Sequence, residues 1–298
     1  MSGIRVLAPG LQTTMQDLGR FGCAHHGVSA SGAADSLALR AANLLVGNAE
    51  NAPALEMTLA GPTLQFEQDV VVALTGSDFG SGLPLWSASP VREGEVLTFG
   101  ATRSGARCYL AVRGGFDAPL TMGSASVHIV TGVGGRPVRK GDHLKLRNQP
   151  IRRARTRPAA PFPGDIAGVL RVTEGPQAEW FGDGLYRSAY TLTEESNRMG
   201  LRLRGNAITA AHAGAMLTEG VALGAIQAPP DGQPIILFVE HQTSGGYPKP
   251  ANVISADFWR LGQLRPRDQV AFELVTIHHA LQLLQQQEKW LYELIKAD

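Results

Sequence analysis

The sequence lacks most of the features that mark secreted, membrane-spanning or nucleic-acid-binding proteins. Its two cysteines, Cys23 and Cys108, are too few for a disulfide framework or a zinc site. No stretch approaches the roughly 18 consecutive apolar residues of a transmembrane helix, and the N-terminus has no signal-peptide core. The formal net charge of +1 argues against nucleic acid or a membrane surface as the main partner. We therefore expect a soluble protein of the cytoplasm.

Several common catalytic motifs are also missing. A Gly-Lys pair does not occur, which excludes a Walker-type phosphate loop, and no Gly-x-Gly-x-x-Gly follows a predicted strand. The nucleophile elbow Gly-x-Ser-x-Gly and a Met-Lys-Met biotin-attachment motif are absent too. The pairs His25-His26 and His278-His279 lack the i, i+4 spacing of a helical metal site. Classical hydrolases, kinases and metalloenzymes are therefore disfavoured, and we predict no metal ligand in this chain.

Glycine and proline are abundant instead. The 35 glycines and 18 prolines follow no triplet period, and 44% of the residues are hydrophobic, which favours a β-rich fold with many turns. Short apolar runs separated by turns predict strands along the whole chain. Residues 143–147 alternate clearly between polar and apolar positions, and residues 126–130 are predicted to form another strand.

Two segments have the period of a helix. Residues 36–46 are apolar at helical spacing and end before Gly47. Asp35 precedes them, and because aspartate is a common N-cap, a cap explains it more readily than catalysis does. Residues 278–296 carry apolar side chains on one side and predict a terminal docking helix or a partner-binding helix.

A linker divides the predicted domains. Residues 149–164 hold four prolines and four arginines, a composition that favours an extended and solvated chain. A basic patch for nucleic acid is the alternative, but no aromatic side chains surround it. We predict an N-terminal β-barrel-like domain at 1–148 and a C-terminal one, with the terminal helix, at 165–298.

The most informative stretch is a polar loop at residues 240–250, called here the 240s loop. It follows a predicted buried strand at 235–239 and contains Gly245 and Gly246, which let a ligand approach the backbone closely. Tyr247 adds a flat face with a hydroxyl. An ordinary polar hairpin loop accounts for this composition equally well.

Other polar residues lie beside glycines in both halves of the chain. Arginine suits bidentate recognition of carboxylate or phosphate, and amide side chains suit a ureido or lactam group. A carboxylate beside a histidine or lysine can perform general acid–base chemistry. Each element is weak evidence by itself, since Arg198, for example, is equally consistent with a surface ion pair.

Five motifs, in order and at matching spacing, resemble one family. They are residues 12–20 (Gln-Thr-Thr-Met-Gln-Asp-Leu-Gly-Arg), 27–35, 196–200 (Ser-Asn-Arg-Met-Gly), 224–234 and 242–248 (Gln-Thr-Ser-Gly-Gly-Tyr-Pro). The chain resembles the KipA-like biotin-dependent carboxyltransferases, also called allophanate hydrolase subunit 2, whose bacterial members include the C subunit of 5-oxoprolinase. The resemblance covers residues 4–275.

This resemblance implies a fold, an activity and partners. The fold is mainly β, with two cyclophilin-like β-barrel domains, a few short helices and a C-terminal helix. The activity implied by the 5-oxoprolinase members is ATP-dependent opening of the 5-oxoproline lactam to glutamate, with Mg²⁺ accompanying ATP. The partners are a KipI-like subunit that shares the active site and a LamB/YcsF-like subunit.

The chain also departs from the family pattern. The family usually has Asp-Arg before the Gln-Thr-Thr-Gly-Gly-Tyr-Pro motif, where this chain has Glu240-His241, and Ser244 replaces the second threonine. A Ser-Arg-Ser-Thr stretch of the family is replaced by residues 124–127, with Ala125 in the place of the arginine. Two arginines that could contact an anion are thus lost, which bears on the substrate more than on the fold.

Our leading hypothesis is a subunit of an ATP-dependent lactam hydrolase, in particular 5-oxoprolinase, that is inactive without its partners. One alternative is biotin-dependent carboxyl transfer of the urea carboxylase type, with biotin on a separate carrier. Another is a non-catalytic regulator of a KipI-like protein. We predict catalytic roles for Glu240, Asp35 and Lys249. The predicted substrate- or nucleotide-binding residues are Arg20, His26, Ser196, Asn197, Arg198, Gln227, Gln242, Thr243, Gly245, Gly246 and Tyr247.

Overall fold

The structure, a computed structural model, describes residues 3–147, 166, 168–211 and 216–295. The predicted linker at 149–164 and the domain edges beside it lie outside these residues, so the domain boundaries stay a prediction. The chain forms two compact units. Unit 1 comprises the described residues of Met1–Arg20, Ser31–Pro163 and Glu288–Asp298, and unit 2 those of Phe21–Ala30 and Gly164–Gln287.

The strands of unit 1 form two sheets. The strands are β1 (Gly3–Ala8), β2 (Gln12–Gln16), β3 (Ala54–Thr58), β4 (Thr63–Phe66), β5 (Val70–Gly76), β6 (Ala88–Val91), β7 (Val96–Thr98), β8 (Arg107–Val112) and β9 (His143–Lys145). One sheet has five strands in the order β2-β3-β8-β5-β6, and the other has four in the order β7-β4-β1-β9. Alternate residues of the two sheets, such as Ile4, Leu64 and Met57, share one buried core.

Helix α1 (Ser36–Leu45) confirms the first predicted helix. The Asp35 side chain caps it by accepting a hydrogen bond of 2.9 Å from the backbone N–H of Ala38. The helix buries Leu37, Leu39 and other apolar side chains. It ends before Gly47, which has a φ of +81°.

The predicted strand at 126–130 is wrong. Its backbone is held by local and side-chain bonds: the Ser126 N–H donates to Ser124 Oγ at 3.0 Å, and the His128 N–H donates to the Val133 carbonyl at 2.8 Å. The Asp17 carboxylate accepts from the hydroxyls of Ser124 and Ser126 at 2.6 and 2.5 Å. Apolar alternation does not form a strand where side chains satisfy the backbone instead.

Unit 2 is built on a closed seven-stranded barrel in the order β10-β17-β14-β15-β12-β11-β18. Its strands are β10 (Gly168–Glu174), β11 (Tyr190–Leu192), β12 (Gly200–Arg204), β14 (Ala225–Gln227), β15 (Ile235–Leu237), β17 (Ala251–Val253) and β18 (Gln269–Leu274), and a separate ribbon joins β13 (Glu219–Gly220) to β16 (Ser244–Gly245). The mainly β prediction is confirmed, and closure of the barrel removes exposed strand edges.

The barrel interior is set by strand register. Leu201 of β12 is opposite Ile236 of β15, which is opposite Ile226 of β14, and all three are buried. Directly opposed residues share one face of a sheet. The next residues along these strands, Arg202, Ile235 and Gln227, are likewise opposed and therefore lie on the outer face of the barrel.

Helices complete the fold. Helix α2 (Phe258–Gln263) follows β17, and the long helix α3 (Ile277–Ile295) confirms the predicted C-terminal helix. Short 3₁₀ turns lie at Ala24–His26, Ala178–Trp180, Gly184–Tyr186 and Ser255–Asp257. In the described part of the chain, no helix has both the length and the hydropathy needed to span a membrane.

Candidate functional site

A cleft of about 350 Å³ lies on the outer face of the unit 2 barrel. Its size falls within the range of small-molecule sites. Four predicted site residues line it together: Asn197, Gln227, Gln242 and Tyr247. They come from three separate motifs of the sequence, and the fold brings them together in one cleft.

Gln227 is the central polar side chain of the cleft. It is 2% exposed, and its Oε1 accepts a hydrogen bond of 3.3 Å from the Gln242 side-chain amide. No acceptor among the described residues is bonded to its Nε2. A buried amide N–H without a partner costs free energy, and a ligand with a carbonyl or carboxylate oxygen would remove that cost.

Gly245 makes room for this amide. A Cβ at position 245 would lie 2.6 Å from Gln227 Nε2 and 3.4 Å from Gln242 Nε2. The residue sits in β16, where it is opposite Glu219 of β13. The glycine therefore permits a close approach between the 240s loop and Gln227, whereas its predicted contact with a ligand stays a prediction.

Backbone hydrogen bonds fix the 240s loop at both ends. The His241 N–H donates to the Phe238 carbonyl at 2.9 Å, and the Ala228 N–H donates to the Pro248 carbonyl at 3.0 Å. Near the middle, the Val221 N–H donates to the carbonyl of Thr243 at 3.2 Å. Gly246 follows β16, where a Cβ would make only ordinary contacts of 3.6 Å. The loop is thus preformed around the cleft.

Glu240 and Arg198 form an ion pair beneath the loop. Arg198 Nε lies 2.5 Å from Glu240 Oε1, and the two side chains are 5% and 0% exposed. The Glu240 N–H also donates to the Arg198 carbonyl at 2.8 Å. The structure thereby assigns Glu240 a partner, whereas its predicted catalytic role stays a prediction.

Lys249 has a similar arrangement at the far end of the loop. Its ammonium group contacts the carboxylate of Glu219, and the lysine is 4% exposed while the Glu219 side chain is 44% exposed. Its backbone N–H donates to the Gln177 side chain at 2.9 Å. The pair ties the end of the 240s loop to β13, and the predicted catalytic role of Lys249 also stays a prediction.

Ser196 and Asn197 shape the turn before β12. The Ser196 hydroxyl accepts a hydrogen bond of 2.9 Å from the Arg202 N–H and donates one of 3.3 Å to the Arg202 carbonyl. Asn197 Oδ1 accepts from the Met199 N–H at 2.8 Å. Both residues therefore position the strand that borders the cleft.

His241 replaces the arginine expected from the family pattern. Burial lowers the pKa of this histidine below its ordinary value, and the nearby Gln242 carbonyl, 2.6 Å from Nδ1, only partly opposes the shift. A neutral imidazole therefore stands where the family pattern has a permanent cation.

Three predicted residues belong neither to the 240s loop nor to the elements that border this cleft. The Arg20 guanidinium, 1% exposed, donates to the Ser126 carbonyl within unit 1. Asp35, also in unit 1, caps α1, and its N–H donates to the Tyr109 hydroxyl at 2.8 Å. His26 lies exposed in a 3₁₀ turn of unit 2, with its ring centre 3.8 Å from that of His25.

The sequence reasoning missed two arginines of the cleft. Arg202 and Arg204 alternate with buried Leu201 and Leu203, and that alternation by itself predicts only a half-buried strand. One feature of the sequence could have indicated them: both arginines lie on one face of the strand that directly follows the Ser-Asn-Arg-Met-Gly motif. Sequence alone did not place that face against Gln227.

Unit 1 contains a larger cleft of about 620 Å³. Ala125 lines it, but none of the predicted site residues does. On its rim, Arg136 and Asp142 pair with each other through two hydrogen bonds of 2.8 and 2.9 Å. The unit 2 cleft is the better candidate, because it combines predicted residues with a buried donor that lacks a partner.

The described residues hold no group of three or more His, Cys, Asp or Glu side chains arranged to bind a metal ion.

The chain is similar to known proteins over most of its length. The chain is 39% identical to the C subunit of 5-oxoprolinase from Haemophilus influenzae, covering 94% of both chains, and 37% identical to that of Escherichia coli K12, covering 98% of this chain and 97% of the relative. It matches the crystal structure of Kluyveromyces lactis urea carboxylase with a TM-score of 0.90 and 30% identity, covering 98% of this chain and 29% of that one.

A family model described as carboxyltransferase domain, subdomain A and B, matches residues 26–274. The predicted resemblance to KipA-like carboxyltransferases is confirmed by this match and by both bacterial relatives. The word subunit in the relatives' names implies that those proteins act in a multi-subunit complex. The chain belongs to the carboxyltransferase domain family, subdomain A and B.

Proposed function

We propose that this chain is the C subunit of a 5-oxoprolinase, which opens the lactam of 5-oxo-L-proline to L-glutamate. Two relatives with this name match almost the whole chain at 37–39% identity. The partners proposed are a KipI-like and a LamB/YcsF-like subunit, and we propose that turnover requires all of them.

One observation carries the proposal. Gln227 lines the cleft, and its Nε2 is a buried donor without an acceptor among the described residues. The lactam of 5-oxoproline has a carbonyl oxygen that can accept this hydrogen bond. Because Gln242 donates to Gln227 Oε1, the amide of Gln227 is held in one orientation and its N–H₂ group remains available to donate to the ligand.

This arrangement can orient a planar amide for attack. Donation from Gln227 draws electron density to the carbonyl oxygen, so charge that develops there in the transition state is stabilised. Tyr247, 44% exposed, lines the same cleft. A ring resting on its flat face would be fixed in orientation at little conformational cost.

ATP, with Mg²⁺, is the proposed co-substrate of the assembled complex. It would activate the lactam carbonyl by phosphorylation, after which water completes the ring opening. Binding of the substrate or the nucleotide is proposed for the predicted binding residues that line the cleft, Asn197, Gln227, Gln242 and Tyr247. Proton transfer is proposed for Glu240, Asp35 or Lys249. In the structure these side chains contact Arg198, the Ala38 N–H and Glu219, respectively.

The test is glutamate release from 5-oxoproline by the reconstituted complex with ATP. Omission of this chain is expected to abolish turnover. Gln227→Glu keeps the side-chain volume but replaces the donor by an acceptor, so kcat/KM should fall by about tenfold to a hundredfold. Gln269→Leu, on the exposed side of β18, is the matched control and should leave turnover unchanged. Full activity without this chain would refute the proposal.

A second candidate is biotin-dependent carboxyl transfer. It is favoured by the family description and by the match to urea carboxylase. Because no biotin-attachment motif lies in the chain, a separate biotinylated carrier would be required. Carboxylation of an amide substrate that depends on the carrier and is blocked by avidin would support this function over lactam hydrolysis. Binding to a KipI-like protein without turnover of either kind would indicate a regulatory subunit.

A further inference from the structure

We infer that Arg202 binds a carboxylate of the ligand whose amide carbonyl is held by Gln227. This inference rests on the proposed function only in taking the ligand to be an amide that carries an acidic group. The inference makes Arg202, on β12, a specificity-determining residue, and Arg202 belongs to none of the five sequence motifs.

Strand register places the two side chains on one surface. Arg202 of β12 is directly opposite Ile235 of β15, and Ile235 is directly opposite Gln227 of β14. Residues in such a row share a face, and neighbouring strands are about 4.8 Å apart. The backbone positions of Arg202 and Gln227 are therefore two strand spacings apart. Because the arginine side chain is long, its guanidinium can extend toward the Gln227 amide, so that a small ligand can contact both groups.

Both side chains line the cleft, and so does Ile235 between them. The row thus offers a donor at one end, an apolar patch in the middle and a cation at the other end. A five-membered lactam with a carboxylate has the matching order of groups: a carbonyl, a hydrocarbon ring edge and an anion.

Within the described ranges of the chain, the Arg202 guanidinium has no partner to displace. No described carboxylate lies within ion-pair distance of it, whereas its backbone N–H and carbonyl are both held by the Ser196 hydroxyl. The side chain is exposed at the cleft while its backbone is fixed. Arginine can hold a carboxylate through two parallel hydrogen bonds, which gives orientation as well as affinity.

Other charged side chains also line the cleft. Arg204 lies further along β12, opposite Thr191 of β11, on the side away from β15. Glu195 and Asp231 are exposed at the cleft, and Asp231 accepts the Gln233 N–H at 3.1 Å. Because the charge of the cleft is mixed, its net field attracts an anion only weakly, and the strand row with Gln227 makes Arg202 the arginine proposed to contact the anion directly.

The test compares two lactams in the reconstituted complex: 5-oxoproline and 2-pyrrolidinone, which lacks the carboxylate. Arg202→Gln should raise KM for 5-oxoproline about tenfold to a hundredfold and leave kcat/KM for 2-pyrrolidinone unchanged. Arg202→Lys should recover part of the loss. Arg187→Gln, which removes an exposed arginine paired with Asp183 away from the cleft, is the control and should affect neither substrate.

A binding experiment on the full chain separates this inference from the proposed function. The probes are 5-oxoproline and N-acetylglycine, an acyclic amide with a carboxylate, titrated into wild type and Arg202→Gln. Loss of binding of either probe in the variant upholds the Arg202 assignment even if the complex hydrolyses no lactam. Equal binding by wild type and variant, no binding by wild type, or an equal loss for both lactams in the kinetic assay would overturn it.

Discussion

Arg198 and Glu240 are 42 residues apart in sequence and form an ion pair of 2.5 Å in the interior of unit 2. The pair joins the Ser-Asn-Arg-Met-Gly turn to the first residue of the 240s loop. The ion pair thus joins the turn and the loop into one structural unit. We expect the cleft to keep its shape only while this pair is intact.

Removing one member of this pair is expected to be costly. Glu240→Ala leaves the buried Arg198 charge without this partner, so the free energy of unfolding should fall by about 3–5 kcal/mol. Arg198→Met in the same background removes the buried charge and should recover much of the loss. Urea denaturation of the two single variants and the double variant measures the coupling. Additive losses would show that the pair does not couple.

Gly245 and Gly246 give a matched pair of substitutions. Gly245→Ala would place a Cβ 2.6 Å from Gln227 Nε2, which must displace the amide, whereas the Cβ of Gly246→Ala would meet only atoms at 3.6 Å. We expect Gly245→Ala to weaken ligand binding by about tenfold or more and Gly246→Ala to have a small effect. Titration of both variants with 5-oxoproline measures this. Equal effects would contradict the close approach to Gln227.

The stability of the protein should depend on His241 in weakly acidic solution. The pKa of His241 is lowered by burial, so between this pKa and about 6.5 the unfolded chain binds a proton that the folded chain does not. Stability from this residue is present above about pH 6.5 and is lost as the pH falls through that window. His241→Gln should flatten the decrease between about pH 7.5 and 5.5, as denaturation of the wild type and the variant across this range would measure.

Tyr109 holds the start of α1 against β3. Its hydroxyl donates to Glu56 Oε2 at 2.7 Å and accepts from the Asp35 N–H at 2.8 Å. Tyr109→Phe removes both contacts in a buried site, so the free energy of unfolding should fall by about 1–3 kcal/mol. Tyr247→Phe, at the partly exposed mouth of the cleft, should change stability little. A thermal melt of the two variants compares them.

The same tyrosine should make the protein sensitive to alkali. Burial, followed by the nearby charges of Glu56 and Asp35, raises the pKa of Tyr109 well above its ordinary value. Above about pH 10 the unfolded chain loses the phenolic proton before the folded chain does, so stability falls as the pH rises. Tyr109→Phe should remove this part of the alkaline loss. An identical alkaline profile in the variant would count against the assignment.

The two cysteines should differ in reactivity. Burial raises the pKa of Cys108 to about 12, so the thiolate that reacts with alkylating reagents is scarce at neutral pH. Cys23 is partly exposed in unit 2. Iodoacetamide at about pH 8 should label Cys23 alone in the native protein and both residues in urea, as mass spectrometry of the digested chain would show.

Local signals in the sequence were sufficient for much of the fold. Asp35 before a helical pattern and Gly47 after it located α1 within a residue, because capping is a short-range interaction. The segment at 126–130 failed for the opposite reason, since its alternating pattern is overridden by the distant carboxylate of Asp17.

Composition and short-range patterns were enough to predict the mainly β class, helix α1, the C-terminal helix and the polar motifs of the site. They did not predict that Gln227 and Gln242 meet in one cleft, that Arg198 and Glu240 form a buried pair, or that Arg202 lies on the same face as Gln227. These neighbours depend on pairing between strands that are far apart in the chain. A register shift of one residue would turn each side chain to the other face, and packing of the whole barrel core fixes that register.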